Sequence, residues 1–123
     1  MLSKNYRDLV VWQKAMDLVV DVYRLTRDFP PTERYGLISQ MTRCAASMPS
    51  NIAEGQGRGS DKEFQRFLAI ANGSRCELET QILLAYRLGY IDEGTRNELL
   101  DRSEEIGRLL TGLTKSLQRE LRD

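Results

Sequence analysis

Ser47-Met48-Pro49-Ser50-Asn51-Ile52-Ala53-Glu54-Gly55-Gln56-Gly57-Arg58-Gly59-Ser60-Asp61-Lys62-Glu63 reads as the end of one helix, a turn and the start of the next. Ahead of it, Ile38, Met41, Ala45, Met48 and Ile52 recur at three- and four-residue spacing, which gathers them on one helix face. Gly55, Gly57 and Gly59 crowd a short turn, so this helix is expected to end near Glu54. Ser60 to Glu63 is a capping box, in which the Ser60 hydroxyl accepts from the Glu63 N–H and Glu63 reaches back. Two helices joined so tightly form an antiparallel hairpin.

The same spacing continues on both sides. Downstream, Phe64, Phe67, Ala71, Leu78, Ile82 and Ala85 make one stripe, closed by Gly89 as the residue after the helix. Gly73 lies mid-helix, where a close helix–helix approach is the usual reason for a glycine. Asp92 or Thr95 can cap a last helix whose stripe is Leu99, Ile106, Leu110, Leu113 and Leu117. Upstream, Phe29-Pro30-Pro31-Thr32 interrupts the pattern, with Thr32 as a candidate cap. Pro49 should kink the helix that contains it. The result is an all-α, antiparallel up-down-up-down four-helix bundle in a single domain, residues 1–123. Its helices are expected at about 7–28, 33–55, 61–88 and 93–118.

The first helix carries two apolar stripes. One is Leu9, Trp12, Met16, Val19 and Tyr23; the other is Val11, Ala15, Leu18, Val22 and Leu25. At ~100° per residue the two cover about 200°, whereas a core-facing stripe needs about 100°. Something must cover the second stripe: either the helix is wrapped inside its own bundle, or it faces another subunit. Val11, Ala15, Leu18, Val22 and Leu25 are the expected oligomer interface.

Composition removes most catalytic chemistry. The 123 residues contain no histidine, so no Ser-His-Asp, Cys-His or His-ligated metal site can form. No metal, cofactor or enzymatic activity is expected. Lys and Arg number 18 and so do Asp and Glu, which is not the balance of a strongly basic nucleic-acid binder. No apolar run approaches the ~20 residues of a membrane span, and residues 1–6 lack the apolar core of a secretory signal. A cytoplasmic protein with reduced Cys44 and Cys76, both in the packed interior, is expected.

Two polar clusters stand out. Ser47, Asn51 and Glu54 share a helix face around Pro49, either as a site or as repair of the break that Pro49 makes. Ser74 and Glu77 lie in the following helix, and a hairpin turning near Arg58 sets Glu77 opposite Gln40 and Arg43. A Glu77–Arg43 ion pair is expected from that register. The hidden charge distribution is uneven. Eight basic residues (Lys4, Arg7, Arg58, Lys62, Arg66, Lys115, Arg119, Arg122) gather at one end of the bundle against six acids. Asp92 to Glu105 is acidic. Arg58, Lys62 and Arg66 are the candidate phosphate contacts, because a ring of subunits would add their fields.

Tyr6 to Ala15, Ser47 to Gly55 with its Pro49, Asn51, Glu54 and Gly55, and Gly73-Ser74-Arg75-Cys76-Glu77 together resemble the bacterial four helix bundle protein family. That family includes proteins encoded in intervening sequences of 23S ribosomal RNA genes, and the accessory variability proteins of retroelements are its relatives. The resemblance runs from about residue 6 to about residue 118. It implies a homo-oligomer, typically a pentameric ring, with no enzymatic activity. Its retroelement relatives are basic and associate with nucleic acid; this chain departs from them in being neutral. Two classes of function stand: an oligomeric ring associated with RNA or DNA, or a protein-interaction scaffold with no nucleic-acid role.

Overall fold

The computed structural model describes residues 5–122, with side chains described through Arg119. Among the described residues, four helices, α1 (Val10–Thr26), α2 (Leu37–Gly57), α3 (Asp61–Arg87) and α4 (Glu93–Arg122), make the architecture. Short 3-10 turns at Tyr6–Asp8 and Pro31–Glu33 precede α1 and α2. Among the described residues there is no strand. Each helix packs on its neighbours in sequence, and α1 closes the ring on α4. This is the four-helix bundle expected from the spacing.

Local chemistry sets the boundaries. The Asn5 side chain accepts from the Arg7 N–H at 2.9 Å and closes a separate turn, and Leu9 is extended, so α1 starts at Val10 rather than at residue 7. Pro31–Glu33 forms its own turn in the same way and delays α2 to Leu37. Thr32 is not the cap of α2. Gly36 holds the N-cap position and has no side chain to offer; Glu33 accepts from the Leu37 N–H at 3.3 Å instead, while also accepting from the Tyr90 hydroxyl at 2.8 Å. The Ser60 cap accepts from the Glu63 N–H at 3.1 Å. Asp92, not Thr95, caps α4, accepting the Thr95 N–H at 2.7 Å. That hydrogen bond holds the Asp92 carboxyl below its ordinary value.

The core runs the length of the bundle. Leu18, Met41, Met48, Ile52, Leu68, Leu78, Ile82, Ile106 and Leu117 are fully buried in it. α2 continues through buried Pro49 to Gly57, so Gly55 is a helix residue and not part of the turn. A Cβ at Gly55 would stand 2.5 Å from the Phe67 Cβ, far inside any real contact, so the α2–α3 approach depends on glycine there. The turns after α2 and α3 instead use Gly59 (φ +81) and Gly89 (φ +80), in the left-handed region that favours glycine. Gly73 does not mark a close approach. It is exposed, and a Cβ on it would meet nothing within 4 Å.

Candidate functional site

The polar motif of α2 turns out to be a seam within the chain. Ser47 Oγ and Ser74 Oγ are 2.8 Å apart, joining α2 to α3. Asn51 Nδ2 donates to the Ser47 carbonyl at 2.8 Å and to Ser47 Oγ at 2.9 Å. Cys44 Sγ donates to the Ser74 carbonyl at 2.9 Å. A buried interface must pair its polar groups, and these residues pair one another. Glu54 stands apart from them and forms an exposed ion pair with Arg58 at 2.8 Å.

At the solvent edge of the seam a cleft of about 370 Å³ is lined by Gln40, Arg43, Cys44, Ser47, Ser74 and Glu77. Arg43 and Glu77 border it, as the hairpin register requires, but no ion pair joins them. Burial pushes the Cys44 thiol up to about 12, and the nearby Glu77 carboxylate adds to the shift. A thiol held so firmly protonated is a poor nucleophile. Cys76 is not interior as expected; it is exposed, and both cysteines are free.

The interface stripe expected on α1 is corrected. Val11, Ala15, Leu18 and Val22 are buried in this chain's own core, with Leu18 at 0 %, and Leu25 packs partly buried against it. Two cross-links show why. Lys14 meets Glu105 of α4 at 2.7 Å, and Asp21 meets Arg102 of α4 at 2.7 Å. They turn α1 so that this stripe faces inward. The other stripe is split: Leu9, Trp12 and Val19 pack partly buried against the same core, while Met16 (38 % exposed) and Tyr23 (47 %) face out and, with Val20 (43 %), which belongs to neither expected stripe, form the outer stripe.

Of the three candidate phosphate contacts, two are brought together and neutralised. Arg58 and Arg66 lie over the ring of Phe67, their guanidinium carbons 5.0 and 4.5 Å from its centre. Arg58 is paired with Glu54, and Arg66 with Glu63 at 2.9 Å. The Arg66 hydrogen bond holds the Glu63 carboxyl below its ordinary value. Lys62 is exposed, with no carboxylate within 4.0 Å among the described residues. Lys4 and Arg122, counted with this end, lie outside the described side chains.

A second polar network, missed in the sequence, joins α3 to α4. Arg75 donates to Glu79 at 2.8 Å and to Asn72 Oδ1 at 2.9 Å. Fully buried Ser103 donates to the same Glu79 carboxylate at 2.7 Å. Gly107 leaves the room: a Cβ there would fall 2.6 Å from the Arg75 guanidinium carbon. The available signal was a serine inside the apolar stripe Leu99, Ser103, Ile106, Leu110, followed by a mid-helix glycine. Beside this network runs a groove of about 510 Å³ lined by Asn72, Arg75, Glu104, Arg108, Thr111 and Lys115 with two glycines. Arg108 and Lys115 have no carboxylate within 4.0 Å among the described residues.

No group of three or more His, Cys, Asp or Glu among the described residues is placed to hold a metal ion. No helix there is long and apolar enough to cross a membrane. Residues 7–112 match the family model of the 23S rRNA-intervening sequence protein. A crystal structure of a protein of unknown function from the S23 ribosomal protein family of Bacteroides thetaiotaomicron VPI-5482 is similar, with a TM-score of 0.79. The two sequences are 25 % identical, and the match covers 86 % of this chain and 96 % of that one. None of the curated proteins matches the chain.

Proposed function

The chain belongs to the 23S rRNA-intervening sequence protein family, and from that premise we propose that it is a non-enzymatic, cytoplasmic helical bundle that works as a homo-oligomer, in a ring of about five copies. One observation carries the reading. The outer stripe of α1 (Met16, Val20, Tyr23) leaves large apolar side chains in water on the side opposite the α1–α4 ion pairs. Contiguous exposed apolar surface of this kind marks an interaction site. The absence of histidine and the locked Cys44 thiol support a role that is structural and not chemical.

Association with RNA or DNA is a second reading, and a different surface favours it. Arg58 and Arg66 are paired with carboxylates, as Arg75 is with Glu79, but Arg108 and Lys115 line the α3–α4 groove with no carboxylate within 4.0 Å among the described residues. Unpaired cations along a groove suit a phosphate backbone. A protein-interaction scaffold without nucleic acid keeps the first reading and drops the second.

Size-exclusion chromatography with light scattering, read with the 260/280 nm absorbance ratio, tests both together. A multiple of the 14.1 kDa chain mass is expected. A clean single-chain mass would overturn self-assembly. The groove reading expects single-stranded RNA affinity to fall steeply with salt and to drop further in an Arg108→Glu/Lys115→Glu variant. No RNA binding at low salt would remove it and leave the scaffold.

A further inference from the structure

The outer stripe of α1 needs a counter-surface, and α3 has one whose unmet groups are the converse of those on α1. Ile70, Leu84 and Leu88 are large, apolar and exposed. At ~100° per residue they share a strip with Gly73 and Glu77. Gly73 is the bare centre of that strip, and nothing within the chain requires a glycine there. Glu77 has no cation within 4.0 Å among the described residues. Gln81 borders the strip on its buried side at 5 % exposure. Its Oε1 is the one buried side-chain polar atom without a hydrogen bond among the described residues. The strip therefore presents apolar surface, a place for close backbone approach, and one carboxylate, Glu77, with no cation beside it; the Gln81 Oε1 atom is closed off inside the chain.

α1 presents the reverse set. Met16, Val20 and Tyr23 are flanked by Arg24 and Arg27. Arg27 has no carboxylate within 4.0 Å among the described residues. Arg24 reaches Asp21 only at 3.8 Å, while Arg102 holds that carboxylate at 2.7 Å. Cations short of a carboxylate on one helix answer a carboxylate short of a cation on the other. Within one chain the two strips cannot meet. On α1 the strip lies away from the α4 ion pairs, and on α3 it lies on the side of Ser74, which bonds to α2. They look out of two faces that share α2.

We propose that the α3 strip Ile70–Gly73–Glu77–Leu84–Leu88 receives the outer α1 strip of a second copy of this chain. Arg24 and Arg27 of that copy supply the cation that Glu77 lacks within its own chain. The proposal rests on the self-assembly reading above and gives it a direction. The contact is heterologous, head to tail. Two different faces joined in this way repeat from copy to copy, and such a contact closes into a ring where the rotation between copies permits.

Single-sided variants test this. Val20→Glu/Arg27→Glu spoils the α1 strip, and Ile70→Glu/Leu84→Glu spoils the α3 strip; all four positions are exposed, and circular dichroism checks that each variant keeps its helices. Each variant alone is expected at the single-chain mass by light scattering. An equimolar mixture is expected at twice that mass, because one intact strip remains on each partner. Should either variant misfold, a charge exchange serves instead. Glu77→Arg is expected to reduce the assembled fraction at least tenfold, and Arg24→Glu/Arg27→Glu added to it to restore assembly. A mixture that stays at the single-chain mass, or Ile70→Glu/Leu84→Glu assembling like the wild type, would overturn the α3 strip while leaving self-assembly standing. Wild-type protein at the single-chain mass would overturn self-assembly itself.

Discussion

The two stripes of α1 have the same apolar spacing and opposite fates. Val11, Ala15, Leu18 and Val22 vanish into the bundle; Met16, Val20 and Tyr23 stay in water. What separates them is not hydrophobicity. Lys14 and Asp21 on one flank of the helix find Glu105 and Arg102 on α4, and this sets the rotation of α1 about its axis. The inward stripe is also the smaller, with Ala15 at its centre, and lets α1 lie close. The bulkier stripe, left outside, is surface that the chain cannot cover by itself. The α2–α3 seam teaches the same lesson from the polar side. Its dense motif of Ser47, Asn51, Ser74 and Cys44 is spent on internal hydrogen bonds, so the conspicuous residues hold the fold and the leftovers face outward.

This contrast can be broken most sharply inside α1. Leu18→Ala is expected to cost about 2–5 kcal/mol of folding stability, the usual price of a cavity at a fully buried leucine. Urea denaturation measures it, and a loss below about 1 kcal/mol would mean that the inward stripe is misassigned. Next in size is Gly55→Ala, whose methyl would collide with the Phe67 side chain. A loss of about 1–3 kcal/mol is expected, with α2 and α3 forced apart. Gly73→Ala, the matching change at an open helix position, should instead be neutral or gain up to about 1 kcal/mol in the isolated chain.

Val20→Ala measured on dilute, unassembled protein should change stability by no more than about 0.5 kcal/mol, in contrast to Leu18→Ala. The smallest effect concerns pH. The hydrogen bond from Lys14, reinforced by its charge, holds the Glu105 carboxyl below its ordinary value. A lowered folded-state pKa gives stability that is present above the unfolded carboxylate value, near about 4.3, and is lost as pH falls through the lowered one. The melting-temperature gap between wild type and Glu105→Gln should therefore be largest near neutral pH and close to zero by about pH 3. A gap independent of pH would remove the ion pair from the account of how α1 is oriented.

Much of the fold was legible because its signals are local. The capping box at Ser60, the glycines at Gly59 and Gly89 and the three-four spacing of each stripe all act within a turn or two. The rest depended on partners distant in sequence. Nothing near Val11 or Met16 says which stripe faces inward, because the ion pairs that decide it span more than eighty residues. Gly55 and Gly73 look alike in the sequence; only the position of Phe67 separates the one that is required from the one that is not. Arg58 and Arg66 looked free until Glu54, Glu63 and the Phe67 ring were placed beside them. The Arg75–Glu79–Ser103 network escaped because a lone serine in an apolar stripe is a weak signal without its partner on another helix.

The central claim is that a second copy covers the outer stripe of α1, and oxidative footprinting reads that stripe directly through Met16 and Tyr23. In the isolated chain both are well exposed, so both should label readily. The account predicts that Met16 and Tyr23 are protected in concentrated wild-type protein and become labelled on dilution or in Val20→Glu/Arg27→Glu. Equal, rapid labelling of Met16 and Tyr23 in wild type and variant at every concentration would contradict it.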